Sequence, residues 1–220
     1  MAKEFSVSGQ HYLFKVQTFA QTILSEGGDE FHDRCYDRTT QGVIDDLVSE
    51  RVSLGVIMRS KENEQGLDKT LEEAGLEFTE LITSQPRISL PKSHPLVNAE
   101  VLSLEDMADY PYLYFHQGDD ETPLYMYEEP FAKIPHAKTI SCTDRASLSE
   151  LIVALNGWTL TCGILVGISD GSSLTTKPVS ENLELQMGYV VRKGSELSAL
   201  DKKYLEKLKV NLERYSSNFA

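Results

Sequence analysis

Hydroxyl and amide side chains recur in this chain at three places where an extended segment gives way to a helical one: Ser8-Gly9-Gln10-His11, Thr39-Thr40 and Thr143-Asp144-Arg145. The first amides of a helix lack intrahelical partners and carry partial positive charge, so each such junction favours a carboxylate by about 0.3–1 kcal/mol. Ser8, Gly9, Gln10, His11, Thr39, Thr40, Thr143 and Asp144 are therefore candidate contacts for a small anion. The same residue types cap helices, for about 1 kcal/mol, whether or not a ligand arrives, and both readings stay open. Met58 and Arg59 leave another predicted strand on the same edge, where the guanidinium either grips an anion through two bonds or lies solvated. His116 and Gln117 leave a further strand where the crevice should face.

Other chemistry finds little support. The chain has no P-loop, H-E-x-x-H or dinucleotide fingerprint, so no catalytic residue is assigned and no cofactor is expected. His32, His116 and His136 lack metal-ligand spacing, and no metal site is expected. Cys35, Cys142 and Cys162 are an odd number without C-x-x-C spacing, which suits three ordinary thiols in a reducing compartment; a redox pair between Cys142 and Cys162 is the rival reading. Phe115, Tyr125, Met126 and Tyr127 either line a pocket for a ring-bearing ligand or serve core packing or a dimer surface. The acidic runs at 118–121 and 128–129 read as solvated loops.

Composition narrows the class further. With 21 Lys and Arg against 34 Asp and Glu in 220 residues, the formal charge is -13, the wrong sign for a phosphate backbone; this chain alone should not bind nucleic acid. No stretch approaches the roughly 20 apolar residues of a membrane span, and the N-terminus lacks a signal-peptide profile, so no membrane partner and a cytoplasmic location are expected.

The elements that would position the candidates follow from periodicity. Residues 5–7 are β-prone, and Tyr12, Val16, Phe19, Ala20 and Ile23 have the spacing of an amphipathic helix starting near Gln10 and ending at Gly27-Gly28. Residues 31–36 read as a strand, Thr39-Thr40 caps a second helix with Val43, Ile44, Leu47 and Val48 inward, and 52–58 reads as a buried parallel strand. This is the β-α-β-α-β opening of an open α/β sheet. A short helix over 68–74 ends at Gly75, and two β segments within 76–90 are separated by Ser84-Gln85-Pro86, the predicted first crossing into a second lobe. That lobe is assigned a short helix at 104–108, strands at 112–115, 138–142 and 164–168, and a helix bearing Leu148, Leu151, Ile152 and Leu155 that ends at Gly157. Alternation of Leu183, Leu185, Met187, Tyr189 and Val191 marks a returning strand, and a last helix from near Ser198 buries Leu200, Tyr204, Leu208 and Leu212.

Several of these segments together resemble one family. Leu90-Pro91-Lys92-Ser93-His94-Pro95-Leu96, followed by Leu104-Glu105-Asp106-Met107-Ala108-Asp109-Tyr110-Pro111, resembles the LP-x-x-HPL … L-x-D-L-x-x-x-P signature of LysR-type transcriptional regulators. Ser53-Leu54-Gly55-Val56-Ile57, residues 151–157 and residues 189–194 agree with that family's segments in type and order. Two departures stand out. Gly157-Trp158-Thr159 replaces the usual G-x-G, so Trp158 is expected to reshape a pocket wall. The family's winged helix-turn-helix and linker helix are expected to lie outside this sequence, since residue 5 reads as the start of the first sensor strand.

The resemblance implies the effector-binding half of such a regulator: an α/β fold of two Rossmann-like lobes joined by crossover strands, like a type 2 periplasmic binding protein. Its lobes would be residues 1–86 plus 190–220 and residues 87–189. It further implies a small-molecule effector at the strand-to-helix junctions, a homodimer, DNA control only through the missing N-terminal domain, and a structural role for His94. A solute-binding protein and an enzyme on the same two-lobed frame are the alternatives.

Overall fold

A computed structural model describes residues 4–27, 30–119, 121–128, 136–166 and 173–216. The chain opens with β1 (Ser6–Gly9), α1 (Leu13–Glu26), β2 (Arg34–Asp37), α2 (Thr40–Val48) and β3 (Leu54–Ser60), the expected β-α-β-α-β unit with strand starts displaced by up to three residues. α3 (Glu64–Glu73) and β4 (Leu76–Ser84) follow, and β10 (Leu185–Arg192) returns much later. These strands form one sheet in the order β2-β1-β3-β10-β4, parallel at β2-β1-β3 and antiparallel where β10 lies between β3 and β4. One face carries α2 and α3, whose Val43, Ile44, Leu47, Leu67 and Leu71 pack on Ile57 and Val190. Along α1 on the other face runs α5 (Ala199–Ser216), held by Asn211 Nδ2 donating to Thr18 Oγ1 at 2.8 Å and Gln21 Oε1 at 2.9 Å.

The second lobe contains two smaller sheets. β5 (Arg87–Pro91) lies between β8 (Thr159–Thr161) and β9 (Leu174–Pro178), and β6 (Tyr112–Phe115) pairs in parallel with β7 (Thr139–Cys142). α4 (Arg145–Leu155) follows β7, with Leu148 and Ile152 buried, and ends at Asn156 in the left-handed conformation.

Some expectations shift. α1 begins at Leu13, not Gln10, because Gln10 and His11 are engaged as described below, and its inner face is Phe14, Lys15, Thr18, Phe19 and Thr22. Val16 is 39% exposed, so the apolar stripe was read about one residue out of phase, with Lys15 hidden in the buried face. Residues 104–108 form successive turns, in which Asp106 ties down Ser103 through its backbone N–H and hydroxyl; this local pairing competes with a helix. Residues 164–166 are not a strand, and the rest of that expected element lies outside the described residues. The bulge between Met187 and Gly188 on β10 breaks the predicted alternation, burying Val190 and leaving Tyr189 half-buried.

The two lobes are joined tightly. β4 ends at Ser84 and β5 starts at Arg87, so the break at Ser84-Gln85-Pro86 is where the chain passes from one sheet to another. β10 pairs within the five-stranded sheet from Leu185 onward, so the return crossing precedes Leu185, and Leu185 to Tyr189 belong to the first sheet. The Ser84 hydroxyl donates to Cys162 O at 2.7 Å and reaches Leu185 O at 3.5 Å, linking three strands of chain. Gly163, at φ +78°, lies so close to the first crossing that a Cβ there would stand 1.9 Å from Gln85 O.

Candidate ligand-binding site

The β1–α1 junction faces the second lobe, and its polar groups are set by an inner layer of bonds. Buried Gln10 accepts from Met58 N–H at 2.7 Å and from the Tyr12 hydroxyl at 3.1 Å, and donates to Thr40 Oγ1 at 2.6 Å. One amide side chain thus fixes the ends of β1, β3 and α2 together. This leaves His11 at the surface of the first lobe. Its ring lies flat on Phe115 of β6, centroids 3.9 Å apart and planes 6° from parallel.

Glu128 completes this contact. Its carboxylate accepts from His11 N–H at 2.9 Å and bonds His11 Nδ1 at 2.8 Å, while His11 O accepts from Arg145 Nη1 at 3.0 Å. Arg145 begins α4, and its Nη2 is buried without a hydrogen bond among the described residues, 3.7 Å from Asp37 Oδ2. Behind it Lys15, fully buried, spends its three donors on Gly9 O at 3.0 Å, Tyr36 O at 2.6 Å and Asp37 Oδ1 at 2.5 Å. A chain of alternating charge, Lys15, Asp37 and Arg145, therefore runs from the first lobe to the second.

Glu128 is delivered by an arm from the second lobe. After β6 the chain passes through Gln117, which donates to Phe115 O at 2.9 Å and accepts from Glu128 N–H at 3.1 Å. A 3-10 turn at Leu124–Met126 then reaches the first lobe, where Met126 joins the α2–α3 cluster and the Tyr125 ring lies against Gly66. The aromatic and Met-rich stretch thus packs across the lobes, and the second acidic run begins with a buried residue; Glu129 lies outside the described residues.

The remaining candidates are placed elsewhere. Ser8 donates to Asp46 Oδ2 at 2.8 Å under α2, where Asp46 also holds Arg38 and Arg51. Thr39 caps α2 by accepting from Gly42 N–H at 3.1 Å, and the Met58 side chain is core. Arg59 binds both oxygens of Asp68, at 3.0 and 2.7 Å, donates to Gln186 and covers Phe78; its anion partner is internal. His116 and Thr143 expose their side chains. Asp144 caps α4, and the Ser147 backbone N–H holds its carboxyl below the usual range. Trp158 is fully buried against Tyr112 and donates to Tyr110 O, so it fills the core and forms no pocket wall. The sequence reading missed Lys15, Asp37 and Glu128; a lysine on the inward side of an amphipathic helix was the available signal.

The thiols do not form a pair. Cys142 and Cys162 are free and belong to different apolar clusters, and burial pushes the Cys162 thiol up to about 12, far from the thiolate that reactivity requires. No group of three or more His, Cys, Asp or Glu among the described residues could hold a metal, and no described helix is long and apolar enough to cross a membrane.

A two-lobed α/β frame with its polar groups turned into the junction is matched by sequence comparison: the LysR substrate binding domain family covers residues 35–211. The chain belongs to that family. No curated protein matches it. Among solved structures, the LysR substrate-binding domain is similar to HinK, a LysR family transcriptional regulator from Pseudomonas aeruginosa (TM-score 0.64, 16% identity, 96% of this chain and 70% of that one). It is also similar to the effector-binding domain of QuiR in complex with shikimate (0.63, 15%, 98% and 99%) and to oxidised OxyR of Corynebacterium glutamicum (0.65, 13%, 98% and 66%). At these identities the structural likeness concerns the fold, that of a periplasmic-binding-protein-like pair of lobes.

Proposed function

We propose that this LysR substrate-binding domain is a reversible sensor for a small carboxylate-bearing metabolite held between its lobes, and that it does not convert that ligand. The carrying observation is the convergence of His11 N–H, an Arg145 Nη2 that makes no hydrogen bond among the described residues and the Phe115 ring, contributed by both lobes, at one helix start. A ligand touching both lobes favours one arrangement of them by its differential affinity, and in the parent regulator that bias would reach DNA through the DNA-binding part. The complex with shikimate, a carboxylate, in the QuiR relative supports the ligand class. We take the lobes as residues 1–86 with the returning strand and α5, and residues 87 to the return crossing. The working state is a homodimer in the cytoplasm.

A thermal-shift screen of aliphatic and aromatic carboxylates tests the reading. A binder raises the melting temperature by mass action, and Arg145→Ala abolishes the shift. A ligand whose shift survives both Arg145→Ala and His11→Ala binds elsewhere, and consumption of any screened compound would favour an enzyme.

A further inference from the structure

We propose that Glu128 is a built-in competitor for the effector: its carboxylate occupies the anion position of the cleft, and a carboxylate ligand binds by displacing it and releasing the arm that carries it. The proposal rests on the functional reading above and goes beyond it by naming what a ligand must replace.

Glu128 is only 4% exposed, yet it is bound as a ligand would be. One oxygen takes the His11 backbone N–H, near the free end of a 14-residue helix, and the other takes the His11 ring. Among the described residues its one ion-pair partner is the His11 ring, while Arg145, which donates to His11 O, has a buried Nη2 without a hydrogen bond, 3.7 Å from Asp37 Oδ2. Burying a carboxylate with no Lys or Arg paired to it costs stability, so this carboxylate is one that an incoming anion can replace: the ligand takes over the His11 bonds and adds a hydrogen bond from Arg145 Nη2. The arm behind it is held by separable contacts, a buried Met126, the Tyr125 ring on Gly66 and the Gln117 bonds. Its release frees Glu128 and uncovers Met126 and Tyr125.

If the arm is closed in at least nine molecules of ten, the apparent affinity for an outside carboxylate is reduced about tenfold or more. The test titrates acetate, benzoate and shikimate, with benzamide as the uncharged control, into wild type, Glu128→Ala and Glu128→Gln by calorimetry. Hydrogen exchange over residues 117–128 is followed in the same samples. We expect at least one carboxylate to bind Glu128→Ala about tenfold or more tightly than wild type, with benzamide unchanged, Glu128→Gln in between, and faster exchange in the arm when wild type is saturated. Equal carboxylate affinity in wild type and Glu128→Ala, or saturation without faster exchange in the arm, overturns the competitor and leaves the cleft sensor standing. Failure of every carboxylate to bind Glu128→Ala overturns both. Because Glu128→Gln preserves shape, it separates loss of the charge from loss of folding.

Discussion

The imidazole of His11 and the ring of Phe115 lie face to face, 3.9 Å between centroids, and join the start of α1 to the end of β6. This stack is one of several contacts between the lobes, beside the hydrogen bonds of His11 and the packing of Met126 and Tyr125 on the first lobe. An aromatic pair contributes about 0.5–1.5 kcal/mol beyond the area it buries. Phe115→Leu should therefore shift the lobes toward the open arrangement with little change in secondary structure. Small-angle scattering should report a larger radius of gyration than wild type, and an unchanged value would mean that other contacts set the closure.

Lys15→Met removes the cation beneath the cleft and takes one donor from Tyr36 O and one from Gly9 O, which keeps the Arg38 N–H. Breaking a fully buried ion pair costs about 3–5 kcal/mol; Asp37 is 40% exposed, so the loss expected here is about 2–3 kcal/mol. Urea denaturation measures it directly. A loss under about 1 kcal/mol would show that Lys15 is held by packing of its stem alone.

Acid should weaken the fold through His94. Its ring is buried beside Tyr110, its Nδ1 accepts from Leu96 N–H at 3.1 Å, and desolvation lowers its pKa. The unfolded chain, with an ordinary imidazole near 6.5, binds the proton before the folded one does. Stability is complete above that value and falls as pH drops below it toward the folded pKa. His136 is shifted in the same direction, so the comparison that isolates His94 is His94→Gln against wild type at pH 7.5 and 5.5. The variant should lose less stability than wild type on acidification.

Much of the frame is legible in the sequence, for physical reasons that differ by element. Ser84-Gln85-Pro86 marked the crossing because proline cannot continue a paired strand, and Thr39 marked a helix start because its hydroxyl satisfies an amide there. The family resemblance, carried by residues 90–96 and 104–111, fixed the class. Within the site, the local pattern identified the junction at Ser8 to His11 but not the job of each member: Ser8 faces α2 while His11 faces the other lobe. Glu128 was invisible to such reasoning, since nothing in an acidic loop sequence reveals that the chain folds back 117 residues to meet His11. Arg59 misled in the opposite direction, because Asp68, nine residues on, already supplies its anion.

The near-contact of Gly163 with Gln85 has a mechanical meaning. Backbone seated on backbone leaves no side chain to compress or rearrange between them, so only a residue without a Cβ lets the segment after β8 lie this close to the first crossing. The spacing of the two lobes at their crossing is thus set by a residue that has no side chain.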